Sequence, residues 1–177
     1  EMCIETGILR IYDADRTYKG YLTENGIIST VGTPVKGTAY FIIQDSKGVI
    51  WIATKGDGLI RAEATSPSGM SYKLTRYLHQ EDDMYSLSDN NVYCVYEDHN
   101  GRIWAATFAG GINYLTENED GKVLFINHRN HLKGYPIDPC YKARFITSDN
   151  NGRLWVGTTT GAVAFDENFE KPEDVQF

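Results

Sequence analysis

The chain is 177 residues long, 41% hydrophobic and 12% aromatic, which suits one domain with a real core and is too rich in aromatics for disorder. Its formal net charge of −7, with basic residues scattered singly, argues against a nucleic-acid partner, which needs a basic face. No apolar run approaches the roughly 18 residues of a membrane span. No signal peptide is visible at Glu1, so a cytosolic protein or a mature or excised segment is expected.

Taken in chain order, "TGILRIYD" (Thr6 to Asp13) and "TYKGYLT" read as the third and fourth strands of a first four-stranded unit. The next strands are "AYFIIQ", "VIWIAT", "LIRAE" and "YKLTRYLH". They are followed by "VYCVYE", "RIWAAT", "INYL" and "KVLFINHR", and finally by "KARFIT", "RLWVGT" and "AVAFD". Each run is short and rich in aromatic or β-branched residues. The many glycines, 17 in all, fall between runs, as turns require.

One phrase is written three times. Asp45, Asp98 and Asp149 align; Gly48, Gly101 and Gly152 follow; then Trp51, Trp104 and Trp155; then Thr54, Thr107 and Thr158. These tryptophans are all that the chain has, about 50 residues apart, a spacing at which repeat architectures are sought first. Asp-x-x-Gly between two apolar runs is a hairpin turn in which Asp caps backbone N–H groups and Gly takes positive φ. The run carrying Trp is apolar on both faces, so it is expected to be buried on both, with Trp wedged between neighbouring sheets.

Four short antiparallel strands per repeat, with one large aromatic at a fixed place, describe a β-propeller blade. The expected fold is all-β: one partial propeller over 1–177, with a partial blade at 1–30, blades at 38–79 and 91–130, and a partial blade at 140–167. The strands number about three, four, four and three, roughly three and a half blades, whereas propellers close with four to eight. The chain is therefore expected to be a piece of a longer protein, or to self-associate through its open faces, for instance as a pair completing a ring.

"SLSDNNVYCVYEDHNGRIWAATFAGGINYL", Ser86 to Leu115, closely resembles the two-component regulator propeller repeat. "YFIIQDSKGVIWIATKGDGLIR" and "ARFITSDNNGRLWVGTTTGAVAFD" resemble it more loosely. The spacing differs from that of the sialidase Asp-box. The resemblance implies the periplasmic sensor region of a hybrid histidine kinase of gut Bacteroidetes. There, two seven-bladed propellers precede a β-sandwich, a membrane helix and a kinase core. It further implies a homodimer that responds to an oligosaccharide. The remaining blades and the kinase of the parent chain would then be this segment's partners. None of the kinase residues is present, so no catalytic activity is expected of the segment itself.

No catalytic residues and no cofactor are assigned. The recurring aspartates suit a turn cap needed once per blade better than a catalytic acid needed once per site. His128 and His131 lie at a strand end without a Cys or carboxylate cluster, so no metal is assigned. His79 and His99 beside turns are expected to be solvated. No G-x-S-x-G, P-loop or H-E-x-x-H occurs. Of the cysteines, Cys94 is expected in the core and Cys140, after the turn "YPIDP", partly exposed; three cysteines cannot form a fully paired framework. If a ligand binds, the loops between second and third strands and those between blades emerge on one face. That face would collect Lys55, Asp57, Tyr85, Asn90, Phe108 and Tyr135, aromatics for sugar rings beside polar groups for hydroxyls. The readings set against a sensor are a propeller lyase or glycosidase relative and a protein-interaction scaffold.

Overall fold

The structure is a computed structural model that describes residues 2–5 and 8–177, with side chains from residue 8. Thr6 and the thiol of Cys3 lie outside the described residues. Four antiparallel sheets account for nearly all regular structure. The first holds β1 (Met2–Glu5), β2 (Ile8–Tyr12), β3 (Tyr18–Leu22) and β4 (Ile28–Ser29). The second holds β5 (Thr38–Gln44), β6 (Ile50–Lys55), β7 (Leu59–Ala64) and β8 (Tyr72–Tyr77). The third holds β9 (Val92–Glu97), β10 (Ile103–Thr107), β11 (Gly111–Glu117) and β12 (Val123–Asn127). The fourth holds β13 (Ala143–Ser148), β14 (Arg153–Thr158) and β15 (Gly161–Asp166). In every sheet the spatial order follows the chain order, as in a propeller blade.

The first sheet has four strands where about three were expected. The runs expected as its third and fourth strands are β2 and β3, its second and third, and the fourth place is taken by β4, which pairs with β3 and is also held by the next sheet. Ile28 N–H donates to the carbonyl of Met70 in the next sheet's outer turn (2.9 Å), and Tyr72 N–H at the start of β8 donates to the Gly26 carbonyl (2.8 Å).

The repeated phrase is a hydrogen-bonded device. One oxygen of each aspartate caps its turn: Asp98 Oδ1 accepts from the N–H groups of Asn100 and Arg102, both at 2.9 Å. The other oxygen accepts the indole N–H six residues on, Trp51 to Asp45 at 2.8 Å, Trp104 to Asp98 at 2.8 Å and Trp155 to Asp149 at 2.9 Å. Gly48, Gly101 and Gly152 sit at φ +82°, +75° and +76°, where a side chain is disfavoured. The threonine hydroxyls close the other end of the hairpin, donating from Thr54, Thr107 and Thr158 to the carbonyls of Gly58, Gly111 and Gly161.

The device also sets packing. Along β10, Ile103 and Ala105 pack toward the second sheet, while Trp104 and Ala106 pack toward the fourth. Ile52 of β6 faces the first sheet, and Trp51 and Ala53 face the third. In β14, Leu154 and Val156 pack on the third sheet, which leaves Trp155 on the outer face, 39% exposed, beside Phe145 at 50%. Cys94 is core, its thiol pushed up to about 11 by burial. Cys140 is buried as well, contrary to the expected partial exposure, because residues Ile137–Cys140 wind into a short helix, α1, that packs into the core.

The indole N–H of Trp155, with the backbone N–H groups of Arg153 and Asn151, holds the Asp149 carboxyl below the usual carboxylate range. A depressed carboxyl stabilises the fold above its unfolded pKa and loses that contribution as pH falls through the folded value. An NMR pH titration should therefore place the Asp149 midpoint below that of an unstructured aspartate; an ordinary midpoint would mean the turn is open in solution.

Candidate functional site

The first strands of neighbouring sheets, β5, β9 and β13, lie side by side at the inner edge of the arc. Each carries a β-bulge at the same place. In β5, Ala39 pairs with Thr54 and Phe41 with Ala53, which leaves Tyr40 unpaired. In β9, Val92 pairs with Thr107 and Cys94 with Ala106, leaving Tyr93. In β13, Ala143 pairs with Thr158 and Phe145 with Gly157, leaving Arg144. All three stand five residues before the repeat aspartate. A bulge re-aims the extra side chain, and bulges recur beside functional sites.

The re-aimed side chains meet. Tyr40 and Tyr93 stack, with centroids 5.0 Å apart and planes at 22°. The Arg144 guanidinium lies 4.3 Å from the Tyr93 ring centroid and 5.5 Å from that of Phe108. Phe108, from the β10–β11 turn, is 5.9 Å from Tyr93, and Lys142 Nζ is 5.0 Å from the Phe108 ring. Below this row Phe41 meets Phe145 edge to face at 6.1 Å. Tyr40, Tyr93, Phe108 and Lys142 are part-exposed and Arg144 is exposed. Backbone bonds fix the surround: Phe108 N–H donates to the Asn91 carbonyl and Gly111 N–H to that of Tyr141, both at 2.9 Å. The result is a row of aromatic rings flanked by cations, at the loop end of the inner strands.

The residues expected at the ligand face divide. Phe108 joins the row. Lys55 is exposed at the end of β6, paired with Thr38 two residues before Tyr40. Asp57 is engaged by Arg76, whose guanidinium donates to its carbonyl at 3.1 Å and approaches its carboxylate at 3.7 Å. Asn90 orders its loop: its side chain accepts from His79 N–H (2.7 Å), and its carbonyl accepts from Gly56 and Gly58. Tyr85 sits at the outer strand instead. Its carbonyl accepts from Phe125 N–H, and its hydroxyl bonds His131 Nε2 at 3.0 Å. Tyr135 is buried rather than exposed. Gly111 has no side chain to displace it, and its hydroxyl donates to the Cys140 carbonyl at 2.9 Å. It cannot stack on a ligand.

The histidines have local partners. His128 bonds the Gly110 carbonyl, and His131 bonds Tyr85 and Glu173. His99 is tied to the buried Glu167, and His79 to the Leu87 carbonyl. Among the described residues no group of three or more His, Cys, Asp or Glu could hold a metal. A cleft of about 590 Å³ opens at the other end of the strands between β2 and β5, lined by Ile11, Ile42, Ile50 and Met70. It is an inter-blade seam whose rim also carries Gln44, Asp13 and Lys19, the last two paired with each other at 2.8 Å.

Tyr40, Tyr93, Lys142 and Arg144 were missed in the sequence. The signal that could have found them is the repeat alignment itself. Five residues before each invariant aspartate stands a large aromatic or cationic residue whose identity changes from blade to blade.

Four sheets side by side, chain order equal to spatial order, and loops gathered at one end define a β-propeller segment. The sequence match is more specific: residues 86–109 fit the two component regulator propeller model, so the chain carries that family's repeat. Among solved structures, an extracellular domain assigned to a hybrid two component system of B. thetaiotaomicron is 29% identical. That match covers 74% of this chain and 16% of that one, with a TM-score of 0.55. A second such domain from B. thetaiotaomicron is 21% identical over 94% of this chain and 21% of that one, with a TM-score of 0.59. A virginiamycin B lyase from Staphylococcus aureus is 15% identical over 97% of this chain and 56% of that one, with a TM-score of 0.56, and shares the fold alone. This chain thus spans 16% and 21% of the lengths of those two extracellular domains. No curated protein matches it. Its similarity is to extracellular domains assigned to two component systems, and among the described residues no helix is long and apolar enough to cross a membrane.

Proposed function

We propose that the chain is a ligand-sensing segment of the periplasmic region of a hybrid two-component histidine kinase, and that it binds an oligosaccharide at the Tyr40–Tyr93–Phe108 row. The observation that carries the reading is that row. Three bulges present side chains outward where regular strands would bury or pair them, and rigid aromatic faces with polar neighbours suit sugar rings. Neither the Tyr40 nor the Tyr93 hydroxyl has a hydrogen-bond partner among the described residues, so both are available to sugar hydroxyls. The segment binds; phosphotransfer belongs to the kinase of the parent chain.

Signalling requires that the ligand favour one arrangement of propellers over another within a homodimer, by no more than its difference in affinity for the two. The remaining blades of the parent chain are the natural cover for Trp155 and Phe145, since the equivalent Trp51 and Trp104 are each covered by the following sheet.

Binding of a panel of plant and host oligosaccharides, measured calorimetrically, tests the reading. At least one is expected to bind saturably without being turned over. Turnover would favour a propeller enzyme. Absence of binding across the panel, with a protein partner captured instead, would favour a scaffold.

A further inference from the structure

Resting on the oligosaccharide reading, we infer that the ligand is acidic: a glycan bearing carboxylate or sulfate groups, read by Arg144 and Lys142. The chain is acidic overall, at −7, yet this face gathers cations. Five cations elsewhere are paired with carboxylates, Lys19 with Asp13, Arg61 with Glu63, Arg76 with Asp57 and Glu24, Arg102 with Asp98 and Lys122 with Asp83, while others, such as Lys36 and Lys73, stand singly away from any aromatic row. Among the described residues, Lys142, Arg144 and Lys55 have no carboxylate partner.

Lys142 and Arg144 are held in place by rings rather than by counter-ions. Arg144 rests over Tyr93 and Phe108, and Lys142 over Phe108 and Tyr141. A guanidinium stacked on an aromatic face keeps its edge N–H groups free for bidentate bonding to a carboxylate or sulfate. Asp89, in the neighbouring loop, uses its carboxylate to cap Asn91 N–H, at 2.7 Å. Aromatic rings for the sugar and ordered, unpaired cations for its acidic groups therefore stand in one row. A neutral glycan carries no group that would pair with these two charges.

The test compares oligogalacturonides with the same oligomers methyl-esterified, together with short sulfated chondroitin oligosaccharides, by calorimetry at low and high salt. Proteins are the wild type, Arg144→Gln and Lys142→Gln, each checked for an unchanged thermal midpoint. The acidic forms should bind about tenfold or more tightly than the ester, lose that advantage in Arg144→Gln, and weaken with salt. The carboxylated and sulfated arms tell which anion is preferred. If neutral oligomers bind as well as acidic ones and Arg144→Gln changes nothing, the inference falls while the oligosaccharide reading stands. If no glycan of either charge binds, both fall.

Discussion

Replacing Trp104 by alanine should destabilise the protein by about 3–5 kcal/mol, the range for removing a fully buried Trp or Phe from a core. Its side chain is completely buried, 5.0 Å from the Tyr114 ring, 5.3 Å from Phe165 and 6.2 Å from Phe169. Loss of the ring opens a cavity at the seam of the third and fourth sheets and removes one donor from the buried Asp98. The surround cannot collapse easily, because it consists of strands fixed in register on both sides. The informative control is Trp155→Ala. It occupies the same place in the repeat and keeps the same bond to its aspartate, but no sheet covers it. That substitution should cost about 1 kcal/mol or less. Urea unfolding midpoints of the two variants give the comparison. Equal losses would mean that the face bearing Trp155 is covered in solution, by a second copy of the chain, and the Trp155 effect would then grow with protein concentration.

Much of this architecture is written locally. Asp-x-x-Gly-x-x-Trp-x-x-Thr encodes a turn, its cap, the partner of the cap and the closure of the hairpin within ten residues, so the repeat can be read without knowing the fold. The two-sided burial of β10 is legible for the same reason: every residue of that run is apolar or a small alcohol. The misreadings are non-local. β4 exists because the next sheet's outer turn reaches back to Ile28, and two residues carry no signal for that. Tyr135 looks like an exposed loop aromatic, yet it is pulled inward by the gap that Gly111 leaves and by the Cys140 carbonyl. Asn90 has the polar character of a ligand contact, and in the structure its side-chain oxygen and its carbonyl also hold two loops together, which the sequence does not show. The bulges are set by register between strands, and register is a property of pairs. Tyr40, Tyr93 and Arg144 therefore resemble ordinary strand residues until their partners are seen.

Tyr93 stands at the centre of the row, so Tyr93→Ala should have the largest effect on ligand binding. Its ring touches Tyr40, Arg144 and Phe108 at once. Truncating it removes an aromatic surface and frees the guanidinium that the ring orients, and central aromatic anchors of this kind cost about 2 kcal/mol or more when cut to alanine. That corresponds to a loss of roughly thirtyfold in affinity for whichever oligosaccharide the wild type binds. Tyr93→Phe separates stacking from hydrogen bonding: it retains the ring and removes only the unpartnered hydroxyl, so most of the affinity should survive. Neither substitution should move the unfolding midpoint much, because Tyr93 is an unpaired bulge residue outside the buried core clusters. A Tyr93→Ala protein that is stably folded and binds as tightly as the wild type would remove the inner-edge row as the recognition surface. Attention would then turn to the outer loop around Tyr85 and His131, where an aromatic ring meets a polar partner near solvent.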